Sequence, residues 1–500
     1  MNFGRTLAAC LTAFLTAAPL HANETATPEK AQGVRTAPFD VDGLLHRTGL
    51  TGARIGFQVV DQENRNPITD NKADRLFMPA STAKFITAIG ALGILGPTHR
   101  FRTSVLNTGA LRNGTLTGDL YLKGSGDPLL SVQDLLGLAD RLNESGLRRI
   151  TGKFYYDESA LPRLAEIDRG QPHAAPYNAG LSALTLDFNR IRAHWRAGEN
   201  RTVSAQLSPA PGAGRITLSD NDPGPGRAFE RTPGGGPEDW RVAPQQLAEP
   251  AGVTELPLRD PGRRTGLVFR TLAAGMGIQL PAPLPATAPG SAKELAGVDS
   301  LPLARLVRQA LAHSNNVVSE LIGLAAARKL IGKPDSLAAS SAALQGWLTQ
   351  RISDMNWQGL NLPNHSGLSA KARVTPAQML TIVRHALSMR YGSQSILSLL
   401  PAGGWRDSFG GRFREPAVAG WVWGKTGTMH YATGMVGLFF GQTSGRRRVF
   451  TLYIMDDEKR KAYDADPARD GEAAQRTARD WIDKAKALEE ELVSAWVKRY

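Results

Sequence analysis

Ser81-Thr82-Ala83-Lys84 sets a hydroxyl and an amine three residues apart, the spacing at which two side chains on a helix share a face. A serine attacks an amide only when a base takes its proton. Lysine can be that base if burial and neighbouring cations pull its pKa down from about 10.4. Roughly one or two Ser-x-x-Lys quartets arise by chance in a chain of this length, so the pair means little alone. Lys425-Thr426-Gly427-Thr428 is rarer, since a Lys-Thr-Gly triplet is expected about once in ten such chains. Its glycine lets a substrate backbone approach a strand edge, and its lysine and threonines offer a cation and hydroxyls to an anionic group. For a third element there are two candidates. Ser219-Asp220-Asn221 runs into Asp222-Pro223-Gly224-Pro225-Gly226 and reads as an Asx-rich turn. Ser314-Asn315-Asn316 follows one helical pattern and opens another, where side chains can reach a groove, and is the one chosen.

The elements that must position these residues can be read from periodicity. Ala53 to Val60 is strand-like, and the helical pattern after Ser81 has Phe85, Ile86, Ile89 and Leu92 on one side. From Phe101 to about Gly290 the texture changes to short alternating runs cut by Gly and Pro clusters, which predicts inserted, mainly β modules. Helices are expected over Leu303 to Leu311 and Val317 to about Leu330. Strands are expected at Val422 to Thr428, Thr433 to Phe440 and Arg448 to Ile454, followed by a last helix opened by Pro467. That helix carries Trp481, Ile482, Ala485, Leu488, Leu492 and Trp496 on one stripe, read as packing on a central sheet rather than lying on a membrane. The architecture is therefore one discontinuous α/β domain interrupted by an excursion.

In that order, Ser81-x-x-Lys84, Ser314-x-Asn316 and Lys425-Thr426-Gly427 resemble the triad of penicillin-binding proteins and serine β-lactamases. Features outside the triad resemble one branch, the class C low-molecular-mass penicillin-binding proteins, or D-alanyl-D-alanine carboxypeptidase/endopeptidase family. They are Gly118-Asp119-Leu120-Tyr121 with Gly124 to Leu129, Tyr177-Asn178 through Leu184, and Ser366-Gly367-Leu368-Ser369 before Val374-Thr375-Pro376. Similarity runs from about residue 40 to residue 456. The resemblance implies an α/β transpeptidase-like domain, an antiparallel sheet flanked by helices, with β-rich domains inserted between the first two motifs. Its boundaries are 37–101 and 289–500 for the catalytic domain, 102–129 and 195–288 for an inserted β-rich domain, and 130–194 for a second nested in the first.

The resemblance also implies roles. Ser81 attacks the carbonyl between two terminal D-alanines, Lys84 takes its proton, and Ser314 relays a proton to the leaving amine with Lys425. Asn316 holds the substrate amide, and Thr426 and Thr428 bind the terminal carboxylate beside Gly427. The backbone N–H groups of Ser81 and Thr428 form the oxyanion hole. No metal or cofactor is implied. The expected partners are peptidoglycan stem peptides and β-lactam antibiotics. Two positions depart from the family: Asn364 stands where an acid is usual and Ala370 where an arginine is, with Lys371 and Arg373 nearby. Asp157 is read as an exposed turn residue rather than a reader of the substrate's cationic side chain.

Residues 1–22, with Arg5, an apolar run from Leu7 to Leu20 and a small-residue site at Ala22, have the layout of a secretory signal peptide and predict a periplasmic protein. Cys10, the single cysteine, lies inside that segment, so a processed chain holds no disulfide. The net charge of +13 fits work beside an anionic surface, with at most peripheral membrane contact. Its basic residues are scattered rather than interleaved with aromatics, which argues against nucleic acid. Two rivals remain: a β-lactamase, which would release penicillin fast, and a binding scaffold with a dead site, which would not be acylated at all.

Overall fold

The computed structural model describes residues 40–197, 203–208, 216–218, 229–232, 239–242, 251–405 and 409–500. The signal peptide at 1–22 and the Ser219-Asp220-Asn221 turn lie outside the described residues. Helix α1 (Val41–Arg47) precedes strands β1 (Arg54–Asp61) and β2 (Pro67–Asn71), and a 3-10 turn, Ala80–Thr82, opens α2 (Ala83–Leu95). Next come β3 (Arg102–Asn107), β4 (Leu120–Lys123), α3 (Val132–Glu144), β5 (Phe154–Asp157), β6 (Arg190–Ala197), β7 (Val203–Ser208), β8 (Ala251–Pro257), α4 (Pro261–Gly275) and β9 (Lys293–Asp299), besides shorter strands. The chain then forms α5 (Leu303–His313), α6 (Asn316–Ile331), α7 (Leu337–Thr349), α8 (Pro376–Ser388), β10 (Val422–Met429), β11 (Ala432–Phe440), β12 (Arg447–Met455), α9 (Asp457–Ala465) and α10 (Glu472–Arg499).

The two ends of the chain meet in one antiparallel sheet of order β10-β11-β12-β1-β2. Strands β11 and β12 are apolar almost throughout because both of their faces are covered. On one face lie α2 and the helices α5 to α8, whose Phe85, Ile89, Leu306, Ile322 and Val383 join a core with Val436 and Tyr453. The other face receives α10, whose stripe from Trp481 to Trp496 is buried as expected of a packed helix. Trp496 is fully buried, with ring centroids 5.3 Å from Phe57 and 6.1 Å from Phe450. Pro467 does not open this helix. It follows the C-cap of α9, where the bias of a pre-proline residue against helix ends the turn, and α10 starts after Gly471.

The described residues of 102–299 carry the expected strands together with α3 and α4. Strand β3 pairs with β9 and β4, and β4 pairs in parallel with β5. A parallel pair needs a crossover, and α3 supplies it: Ser131 and Asp134 form a capping box, and Leu135, Leu138, Ala139 and Leu142 face the sheet. Residues 102–129 thus pair with 154–157 and 293–299, and residues 261–285 join the same sheet and core through Leu284–Pro285 and the α4 residues Val268, Phe269 and Ala273. Strands β6, β7 and β8 make a separate sheet. Among the described residues no helix is long and apolar enough to cross a membrane.

Candidate active site

Ser81 lies in the 3-10 turn that precedes α2, next to Ala80 in the left-handed region (φ 46°). A non-glycine residue there costs about 1 to 2 kcal/mol, strain that the packing around the turn must hold. The Lys84 side chain is buried under the turn, with Nζ 2.7 Å from Ser81 Oγ, and it donates to the carbonyl oxygen of Ser366 at 2.8 Å. Burial first, and the charge of Lys425 second, hold its pKa well below the ordinary lysine range, against an opposing pull from Glu320.

The second pair faces the first. Helix α5 ends on Ser314 in the left-handed conformation (φ 55°), and Asn315 restarts the chain as the N-cap of α6, accepting from the Val318 N–H. This helix junction turns the Ser314 hydroxyl toward Lys425, whose Nζ donates to Ser314 Oγ at 2.9 Å and to the Thr426 carbonyl at 2.7 Å. Burial, then the charge of Arg412, brings Lys425 down to about 7. Asn316 Nδ2 donates to the Tyr177 carbonyl at 2.9 Å, so it ties a loop of the insert to the start of α6.

Strand β10 is the edge of the sheet and packs on the Ser81 turn. Gly427 permits this: a Cβ there would lie 2.5 Å from Pro79 O and 3.1 Å from Ser81 N. Gly367, at φ 77°, allows a similar approach from the opposite side, where a Cβ would overlap the Ala80 carbonyl. The resulting cleft is lined by Ser81, Ser314, Asn316 and Thr428, with Tyr177 and His430 at its margin. Thr426, two residues before Thr428 on the strand, is half-buried on the same face. All three sequence motifs therefore converge on one cleft.

Three participants were given no role by the sequence reading, although Ser366 and Tyr177 stood among the family-like stretches it named. The Ser366 carbonyl holds Lys84, and Glu320 holds Ser366. The third is the insert loop with Gln171 and Tyr177 on the cleft. It is pinned by Asn178, whose Oδ1 accepts from Ile167 and Asp168, and by Arg259, which donates to the carbonyls of Ala165 and Asn178. A carboxylate inside the apolar run Val317 to Ile322 was the one available signal for Glu320. Asp157 is fully buried rather than exposed, because its carboxylate accepts from the Ser159 and Ala288 amides. Asn364 is buried too, and shapes its own loop by accepting from Gly367 N and donating to Leu368 O. Neither Lys371 nor Arg373 lines the cleft, and Arg373 donates to the carbonyls of Ala370 and Ala372.

A serine open to the cleft with a buried lysine against it, beside a glycine-bearing sheet edge on an antiparallel sheet flanked by helices, defines an acyl-transferring hydrolase of the penicillin-binding architecture. The chain belongs to the D-Ala-D-Ala carboxypeptidase 3 (S13) family, whose sequence pattern matches residues 39–220 and 246–475. It is 28% identical over 443 residues to a D-alanyl-D-alanine carboxypeptidase of an Actinomadura species, covering 81% of this chain and 79% of that one. In fold it is similar to penicillin-binding protein 4 of Haemophilus influenzae, with a TM-score of 0.74 at 20% identity over 92% of this chain and 99% of that one. The same protein complexed with a β-lactam gives a TM-score of 0.72 at 19% identity over the same shares.

Proposed function

We propose that this chain is a serine D-alanyl-D-alanine carboxypeptidase/endopeptidase that cleaves peptidoglycan stem peptides through an acyl-enzyme on Ser81. The observation that carries the reading is the 2.7 Å approach of Lys84 Nζ to Ser81 Oγ, with the amine buried and its pKa lowered. A neutral Lys84 takes the hydroxyl proton as Oγ bonds to the carbonyl carbon of the penultimate D-alanine. The negative oxygen that forms is received by the backbone N–H groups of Ser81 and Thr428, a role that the packing of β10 at Gly427 on the Ser81 turn supports. Ser314, hydrogen-bonded to Lys425, passes a proton to the leaving amine nitrogen as the C–N bond breaks.

Thr426 and Thr428 bind the terminal carboxylate, with Lys425 supplying the positive field. The Asn316 carboxamide, anchored through its Nδ2, presents Oδ1 to a substrate N–H. With the Ser81 proton delivered by way of Ser314 to the departing amine, Lys84 is neutral again; it takes a proton from the water that attacks the acyl-enzyme and gives it to Ser81 Oγ as the ester C–O bond breaks. A β-lactam enters the same first step but keeps its leaving nitrogen tethered, which slows release. Export through residues 1–22 to the periplasm, where the stem peptides are, completes the reading.

Intact-protein mass spectrometry with and without benzylpenicillin tests it. The expected result is one slowly lost adduct that is absent in Ser81→Ala. An adduct that persists in Ser81→Ala, or no adduct in the wild type, overturns it, and rapid turnover of the adduct would favour a β-lactamase.

A further inference from the structure

Glu320 is buried to 0% exposure in the middle of an apolar helix, and the chemistry above makes no use of it. Its two carboxylate oxygens accept from consecutive backbone amides: Oε2 from His365 N at 2.9 Å and Oε1 from Ser366 N at 2.8 Å. The carbonyl of that second residue is the acceptor that holds Lys84 Nζ. The segment has further tethers, since Thr87 Oγ1 donates to the His365 carbonyl at 2.7 Å and Ser340 Oγ meets His365 Nε2 at 2.7 Å. Gly323, one turn along α6, leaves the room that the His365 ring occupies. Burying a carboxylate is costly, but here it offers two acceptors to two adjacent N–H donors, where a neutral amide would put a donor against one of them. Its charge also acts on Lys84.

We propose that Glu320 is a positioning residue for acylation: it fixes the His365–Ser366 backbone so that the Ser366 carbonyl holds the Lys84 amine against the Ser81 hydroxyl. The inference rests on the function proposed above. A second, electrostatic effect follows from the same placement. The carboxylate raises the proton affinity of Lys84, opposing Lys425, and so sets the pH at which the base becomes neutral. Burial raises the Glu320 carboxyl, while hydrogen bonds from Ser366 and His365 and the charge of Lys84 pull it back.

The test uses the full chain with a fluorescent penicillin in stopped flow, resolving the dissociation constant of the first complex from the acylation rate constant across pH. Glu320→Gln keeps the size, removes the charge, and turns one acceptor into a donor facing an amide. The acylation rate constant should fall by about tenfold to a hundredfold, the loss expected of a charge-assisted hydrogen bond, with the dissociation constant unchanged. The acidic limb should move to lower pH, because Lys84 loses a neighbour that favours its proton. Glu320→Asp, which keeps the charge but is too short for both amides, should lose rate with the limb nearly in place, and it serves if the glutamine variant does not fold. A wild-type rate constant and limb in the folded variant overturns the inference, as does a loss that tracks thermal unfolding alone. If the wild type itself is not acylated, the proposed function falls; if it is acylated and the variants match it, only the role of Glu320 falls.

Discussion

Lys84 and Lys425 each set a nitrogen against a serine hydroxyl that lines the same cleft, and the charge of Lys425 helps to lower the pKa of Lys84. The two lysines come from α2 and β10, more than three hundred positions apart in the chain, and only the sheet brings them together. Their coupling predicts the pH profile. Lys84 must be neutral to take the Ser81 proton, so acylation rises with pH as Lys84 deprotonates. Lys425 is cationic below about 7, so attraction for the substrate carboxylate fades above that value. A bell with its alkaline side near 7 is expected for the second-order rate of acylation. Lys425→Gln should abolish the alkaline side and move the acidic side up, since Lys84 then keeps its proton to higher pH. An acidic limb that stays in place would show that the two charges do not interact.

Ser314 joins a conformational demand to a chemical one. Its left-handed backbone is the reason the hydroxyl turns toward Lys425 at the α5–α6 junction. Ser314→Ala and Ser314→Gly should both lose about a hundredfold or more in peptide hydrolysis, the usual scale for a proton-transfer group. Their stabilities should differ in a definite direction. Alanine keeps the left-handed strain of about 1 to 2 kcal/mol, while glycine relieves it, so the glycine variant should be at least as stable as the alanine variant in urea titration.

Gly427 is where the strand edge meets the nucleophile turn, and Gly427→Ala tests how closely the two must fit. The added methyl falls 2.5 Å from the Pro79 carbonyl, a backbone atom that cannot step aside cheaply. Overpacking of this kind costs about 1 to 3 kcal/mol, a loss a chain of this size can absorb. The displaced β10 should cost about a hundredfold in acylation, because an ångström of misplacement is enough for that. Circular dichroism should report a folded protein, and penicillin labelling should report the loss.

How much of this was legible in the sequence differs from residue to residue. The motifs Ser81–Lys84, Ser314–Asn316 and Lys425–Thr428 depend on local spacing, and each sits on the kind of element its spacing predicted. The stripe of α10 was readable because burial against a sheet imposes a helical period. Glu320 was not, because its value comes from two amides at 365 and 366 that no period connects to it. The same holds for Tyr177, which offers a backbone carbonyl to Asn316 and so leaves no mark in residue type. In the insert, the short strands were legible but not their partners, since parallel pairing across α3 is a non-local choice.

The contact between Asn316 and the Tyr177 carbonyl makes the insert part of the cleft wall. Asn316→Ala removes that tether and the carboxamide together. Peptide acylation should drop by about tenfold, in line with one lost hydrogen bond to a substrate group and a loosened wall. Hydrogen exchange of residues 165–178 should quicken in the variant, while exchange in β11 and β12 stays as in the wild type. Unchanged exchange in the loop would mean that Arg259 and Asn178 hold it without help from α6.

Arg412 and Glu489 lie behind the lysine strand as a buried ion pair at 2.7 Å, joining the segment before β10 to α10. Burial raises the Glu489 carboxyl, and Arg412 opposes that rise. Removing one partner leaves the other charge buried and unpaired, so Arg412→Met alone should cost about 3 to 5 kcal/mol. Exchanging both for apolar residues, in Arg412→Met with Glu489→Leu, should recover most of that loss, because neither desolvation penalty then remains. The functional consequence has a sign of its own. Arg412 lowers the pKa of Lys425, so its removal lets Lys425 stay cationic to higher pH. The folded double variant should therefore carry the alkaline limb of acylation upward while its acidic limb, governed by Lys84, rises less or not at all. If stability recovers and the alkaline limb does not move, the pair serves the fold alone and Lys425 takes its depressed pKa from burial.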